Sequence, residues 1–215
     1  MNGPHEAVIV ALSVEVEGDE VRRCLGCPTQ GRLSPRLEAR LARLLDEARP
    51  LLAARGAWRL VDGTQAVATG LPDAAPSAGV ALCTIGPALE AAAARLIEAD
   101  NLLDALVLDA IGSAAAEAAA DALNRELCDA VHARGLFAAP RVSPGYGAWD
   151  VACQSRLLAL LPAAALGVTL TSAQMMIPRK SVSFAVNFAA TPCADPDESP
   201  CARCGLAHCR HREAR

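Results

Sequence analysis

The chain has 215 residues, a formal net charge of −4 and a sequence pI near 5.6. That length holds one sizeable domain or at most two small ones, and the acidic balance argues against a general binder of nucleic acid or anionic membranes. Hydrophobic residues make up 53% of the chain but aromatics only 3%, so its core must be built from small aliphatics with close helix approach.

The start, Met1-Asn-Gly-Pro-His-Glu6, lacks the basic, apolar and cleavage regions of a signal peptide. The longest uncharged apolar run, Leu157 to Met176, is broken by Pro162 and several polar residues. These features predict a cytoplasmic protein without a membrane segment. In that compartment its nine Cys are expected as thiols or metal ligands rather than as a disulfide framework.

In chain order, Val8, Val10, Leu12, Val14 and Val16 alternate with Ile9, Ala11, Ser13 and Glu15, the period of a half-buried strand. Asp19 caps a short helix ending near Gly26. Its Cys24-Leu-Gly-Cys27 reads either as core-filling thiols or as a redox or metal pair. Ser34 and Pro35 open a second helix, with Leu37, Leu41, Leu44, Leu45, Leu51 and Leu52 on one stripe and Pro50 kinking or ending it. Ala57 to Val61 and Thr64 to Thr69 flank Asp62-Gly63, which predicts a hairpin. A loop rich in Pro and Ala follows from Leu71 to Gly79.

Val80 to Ile85 reads as a buried strand, and Gly86-Pro87 switches it into a helix running to Asp100. Such a junction is a generic anion site. Asn101 to Arg134 predicts a long helix stopped by Gly135. Its middle, Gly112 to Ala122, is nearly all small residues, so another element can pack against its backbone. Glu117 and Asp121 lie four apart on one face, either as a solvated acidic edge or as carboxylates turned toward a pocket.

The stretch Arg141-Val-Ser-Pro-Gly-Tyr-Gly-Ala-Trp-Asp150 holds the single Tyr and one of two Trp. Pro144 fixes its own φ, while Gly145 and Gly147 permit positive φ on either side of Tyr146. Arg141 supplies a planar cation suited to carboxylate or phosphate. Cation, aromatic platform and backbone amides in one turn suit a small-anion or nucleotide pocket, against the plainer alternative of a loop with a buried Tyr. Asp150 then caps a helix over Val151–Leu161, Gly167 to Leu170 forms a strand, and Ser181 to Phe188 another, with Val182, Phe184, Val186 and Phe188 on one face. Between them, Met175-Met-Ile-Pro-Arg-Lys180 brings apolar groups and two cations to a loop.

Arg141 to Asp150, Gly167-Val-Thr-Leu-Thr171, Met176-Ile-Pro-Arg-Lys-Ser-Val-Ser183, Gly112-Ser-Ala-Ala-Ala-Glu-Ala-Ala-Ala-Asp121 and, more weakly, Thr84-Ile-Gly-Pro87 together resemble the activation (reactivation) domain of vitamin B12-dependent methionine synthase, in its short stand-alone form. The resemblance covers residues 6 to 189. It implies a single α+β domain over residues 1–189, with a mainly antiparallel twisted sheet packed by long helices. It also implies S-adenosylmethionine as ligand, cobalamin held by a methionine synthase or other corrinoid partner, and reductive methylation of cob(II)alamin. Arg141 would hold the ligand carboxylate. Pro144, Gly145 and Tyr146 would shape the wall at the sulfonium and corrin, with Tyr146 as the residue nearest the reacting groups. Glu117, Arg179 and Lys180 would complete the pocket. Where the classical domain continues its turn with a Cys-Pro type sequence, this chain has Gly147-Ala-Trp-Asp150. Two alternatives stay open: a reductive activator of another corrinoid methyltransferase, and a non-catalytic corrinoid or metal-binding partner.

Residues 190–215 read as a second unit. A turn-rich acidic linker leads to Cys201-Ala-Arg-Cys204-Gly-Leu-Ala-His-Cys209, with Cys193 upstream. Four thiolates suit an iron–sulfur cluster or zinc, with His208 as a substitute for Cys193 in the zinc case. Arg203, Arg210, His211 and Arg212 would offset thiolate charge. The electron would come from this cluster or from a flavodoxin or ferredoxin. The four-iron reading predicts brown protein on anaerobic purification, with about four iron per chain. Cys204→Ser should bleach it and leave the domain folded. Colourless protein with about one zinc would contradict it.

Overall fold

The computed structural model of the protein describes residues 6–27 and 34–191. Its organising fact is a strand with almost nothing polar to show to water, and that strand is covered on both sides. β1 (Val8–Ala11), β2 (Arg55–Asp62), β3 (Ser77–Thr84), β4 (Phe137–Ala138) and, after a small hairpin of β5 (Thr169–Leu170) and β6 (Met176–Ile177), β7 (Ser181–Ala189) provide the strands. The main sheet is antiparallel throughout, in the order β1-β2-β3-β7-β4. Helices α1 (Gly18–Cys24), α2 (Pro35–Ala48), α4 (Ala88–Glu98) and α5 (Leu102–His132) contribute the core on one face. The short α3 (Gly63–Ala68) and α6 (Gln154–Leu158), with a 3-10 turn at Ala163–Leu166, close the other.

Alternation divides the side chains between the two cores. Ala81 and Cys83 of β3, with Phe184, Val186 and Phe188 of β7, face the long helices. Ala78, Val80 and Leu82, with Ala185, face the second layer. Val182 packs against the helical core too, so the expected face of β7 is observed. The same burial pushes the Cys83 thiol up to about 12, since a thiolate there would be charged in an apolar interior.

The 31-residue α5 spans the helical face. Its leucines are received by glycines on two adjacent strands. A Cβ on Gly56 would stand 2.8 Å from Leu123, and one on Gly79 would stand 2.8 Å from Leu127 and 2.9 Å from Phe188. Small residues on the sheet therefore set how closely the helix approaches, as a core poor in aromatics requires. α2 is tied to α5 by charge. The buried Asp104 carboxylate meets Arg40 at 3.0 Å and Arg43 at 2.8 Å, and accepts from Asn101 at 2.9 Å. Burial alone would raise its pKa, but these partners outweigh it and hold the group below the usual carboxylate value.

Three local expectations are corrected. β1 ends at Ala11 instead of Val16, because the chain leaves the ladder after the Leu12 N–H reaches the Ala54 carbonyl and then crosses toward α1, with Val14 and Val16 still packed on the core. Asp62-Gly63 begins α3 rather than a hairpin turn. The Asp62 carboxylate accepts from the Gln65 N–H at 2.9 Å and Gln65 answers to the Asp62 backbone, a capping box that outcompetes the turn. The helix expected over Val151–Leu161 divides into a 3-10 turn at Val151–Cys153 and α6, because Leu157, Leu158, Leu161 and Leu166 all have to reach one sheet face. The Ser34 cap with Pro35 in the first turn, and the long helix before Gly135, are as expected.

Gly79→Val should lower stability by about 1–3 kcal/mol, because Leu127 and Phe188 must both move. Denaturant unfolding beside the parent measures it, and an unchanged midpoint would contradict the close packing of α5.

Candidate functional site

The central turn wraps one edge of the sheet. After β4, the Ala139 N–H donates to the Asn187 carbonyl, and Val142 exchanges two backbone bonds with Ala185 at 2.9 and 2.8 Å. This pins Arg141 beside β7 on the helical face, with its guanidinium 5.6 Å from the Phe184 ring centre. The chain then turns through Ser143-Pro-Gly-Tyr146, and Trp149 plunges into the opposite core, 2% exposed, its Nε1 donating to the Thr69 carbonyl at 3.1 Å. Gly145 at φ 90° and Gly147 at φ 58° make this sharp path possible. Asp150 accepts from the Ala152 N–H at 2.9 Å, the capping expected of it.

Several of the turn's amides serve the turn itself. Gly145 N–H donates to Trp149 at 2.7 Å, Tyr146 N–H to Ser143 at 3.1 Å, and Trp149 N–H to Tyr146 at 3.1 Å. An anion site made of those amides is therefore not what the turn offers. It offers the Tyr146 side chain, 71% exposed at the tip, and Arg141 at the base. Tyr146 is exposed, so the buried Tyr of the plainer alternative is not observed. The turn's buried aromatic is Trp149.

Arg141 meets both acids of the expected pair, Glu117 at 2.9 Å and Asp121 at 3.0 Å. The two carboxylates of α5 are thus paired with Arg141 while staying about half exposed. Arg141 Nη1 is buried with no hydrogen-bond acceptor among the described residues. A guanidinium whose Nη2 is shared by two carboxylates that stay partly exposed suits a ligand carrying both a carboxylate and a cation.

The other predicted cations lie further along the same helix face. Lys180 is only 12% exposed at its side chain, with its Nζ 2.9 Å from Asp109 and 2.8 Å from Ser113 Oγ, while its backbone N–H donates to Glu90 at 2.6 Å. It lies across α5 because residue 112 is glycine: a Cβ there would stand 3.2 Å from Lys180 Cε and 2.7 Å from Leu89. Arg179 is far more exposed and reaches Glu90 and Asp109 only at 3.9 and 3.8 Å. Of the pair, Lys180 is committed to α5, and Arg179 is the cation a ligand can reach. Asp109, Ser113, Glu117 and Asp121 form one stripe at i, i+4 spacing. Asp109 and Ser113 were not anticipated, although extending the Glu117/Asp121 spacing backward finds both.

Cys24, at the end of α1, is a free thiol whose pKa is pushed up by burial and then by the charge of Glu20, the behaviour of a packed thiol rather than a reactive one. Cys27 is free as well. Among the described residues no group of three or more His, Cys, Asp or Glu is placed to hold a metal. The expected ligands Cys193, Cys201, Cys204 and Cys209 lie outside those residues. Among the described residues no helix is long and apolar enough to cross a membrane.

No family model and no curated protein matches the chain. Among solved structures it is similar to the crystal structure of the MetH reactivation domain bound to AdoHcy, with a TM-score of 0.61 and 17% identity, over 91% of this chain and 80% of that one. The fold expected from the sequence resemblance is the fold observed.

The wrap around the sheet edge makes opposite demands on its two aromatics. Trp149→Ala should cost about 3–5 kcal/mol of stability and Tyr146→Ala no more than about 0.5 kcal/mol. Equal losses in denaturant unfolding would contradict the anchoring of the turn by Trp149.

Proposed function

We propose that this protein is a stand-alone reactivation module for a cobalamin-dependent methyltransferase of the methionine synthase type, binding S-adenosylmethionine at the Arg141 site. The observation that carries this reading is Arg141 itself. It is fixed over Phe184, shares its Nη2 with two partly exposed carboxylates, and lies at the base of a turn whose tip is an exposed Tyr. The fold is that of a domain whose solved structure carries AdoHcy, which supports the same choice of ligand.

The residues fit such a ligand. Arg141 takes the amino-acid carboxylate, displacing one of its two acids. Glu117 and Asp121 then face the ligand's ammonium. Tyr146, held out by Pro144 and Gly145, covers the sulfonium, where an aromatic face attracts a cation by about 0.5–2 kcal/mol. Arg179 contributes positive charge at the rim, and Lys180 fixes the α5 face. Cobalamin, held by a separate corrinoid protein, would supply the chemistry of one-electron reduction and acceptance of the sulfonium methyl. The chain's own task is to orient that methyl outward and keep it next to the exposed Tyr146. Because Trp149 points into the core, any contact with the corrin falls to Tyr146 and its exposed neighbours Gly145, Gly147 and Ala148 rather than to the indole. The electron comes from a flavodoxin- or ferredoxin-type donor or from the proposed thiolate site of the tail.

Arg141→Ala should weaken S-adenosylmethionine binding by about 1.5–3 kcal/mol, the scale of a charge-assisted hydrogen bond. Calorimetry on both proteins measures it. Equal affinities, or no binding by the parent, would overturn the reading in favour of a non-catalytic corrinoid partner.

A further inference from the structure

The exposed face of α5 does not stop at its charged residues. Leu102 and Leu106 precede Asp109, Ser113 and Glu117 on the same side of the helix, at i, i+4, i+7, i+11 and i+15. Leu103 flanks them, and Ile97 sits across the corner that Asp100 makes at φ 57°. All four are 45–59% exposed, in a chain whose other large aliphatics are mostly buried. Four half-exposed aliphatic side chains amount to roughly a few hundred Å², the size of functional patches on monomers.

We propose that Leu102, Leu103, Leu106 and Ile97 form a docking face for the cobalamin-carrying partner. This rests on the functional reading above and adds to it the surface on which that partner sits. Three observations select this occupant. A standard interface covers about 800 Å² per partner, which as a disc has a radius of about 16 Å. Leu106 lies eleven residues from Glu117 along α5, again about 16 Å, so an average-sized partner seated over the Arg141 site reaches Leu106 at its rim, and a somewhat larger one reaches Leu102, about 22 Å away. The patch alone falls well short of that 800 Å², which disfavours a stable homodimer built on it and suits the outer part of a larger, transient contact. Finally, Glu98 and Asp100 stand exposed at the same corner, while the nearby Arg95 lines a separate groove with Glu47 and Leu51. The partner is therefore a corrinoid protein with apolar side chains at the contact and basic ones at its rim.

The test uses the full chain and the variant L102E/L106E, with L106Q alone as a second variant should the first lose its thermal transition. Calorimetry measures binding of S-adenosylmethionine and of a cobalamin-binding module of methionine synthase loaded with cob(II)alamin. The expected result is unchanged S-adenosylmethionine affinity with at least tenfold weaker module binding. Equal module binding by parent and variant overturns the inference. So does a parent that light scattering finds dimeric and that either substitution makes monomeric, since the face then belongs to a second copy. A parent that binds S-adenosylmethionine but not the module overturns the docking face and leaves the pocket standing. A parent that binds neither overturns the functional reading, and this inference with it.

Discussion

The burial of Trp149 on one face of the sheet, while Arg141 is held on the other, is the constraint on which the site depends. Seven residues of chain separate a cation lying on Phe184 from an indole hydrogen-bonded to Thr69. A strap pinned at both ends has little freedom between them, so its tip presents Tyr146 in a defined place. The indole carries most of that energy: a buried aromatic of its size is worth several kcal/mol, whereas each backbone bond inside the turn adds about 1 kcal/mol. Positive φ at Gly145 and Gly147 is a small cost beside it.

Close approach is the second theme, and it links packing to electrostatics. Gly56 and Gly79 let α5 settle on the sheet through Leu123 and Leu127, which brings Glu117 and Asp121 within reach of Arg141. Gly112 does for Lys180 what the sheet glycines do for the leucines, letting a long side chain lie flat against helix backbone. The result is a row of alternating charge along one helix face, with Lys180 neutralised deeper in and Arg141 at the opening. Screening by water limits what the exposed members contribute to stability, and their value lies in orientation.

Much of this was legible in the sequence for a physical reason. Long-period signals such as the small-residue run of α5, the alternation of β7 and the Ser34-Pro35 start depend on local chemistry that tertiary structure reinforces. Two carboxylates four apart and an Arg before a glycine turn were visible as candidates, but that Glu117 and Arg141 meet each other is known only from the fold. What misled was competition between equally local signals. Asp62-Gly63 satisfies a hairpin rule, yet Gln65 three residues after Asp62 satisfies a capping box, and the helix won because Ala66 could bury there. The burial of Trp149 on the opposite face was not legible, because sequence does not reveal on which side of a sheet edge a turn will emerge. The commitment of Lys180 to Asp109 and Ser113 was likewise invisible, since partners 67 and 71 residues apart meet only through the fold.

The central claim is that Arg141 reads the carboxylate of an amino-acid ligand against the competition of Glu117 and Asp121. Calorimetry comparing S-adenosylmethionine with its decarboxylated analogue on the unmodified protein tests it most directly, because nothing in the protein is altered. The account predicts at least about tenfold weaker binding of the decarboxylated compound, or about 1.4 kcal/mol. Equal affinity for the two would contradict it.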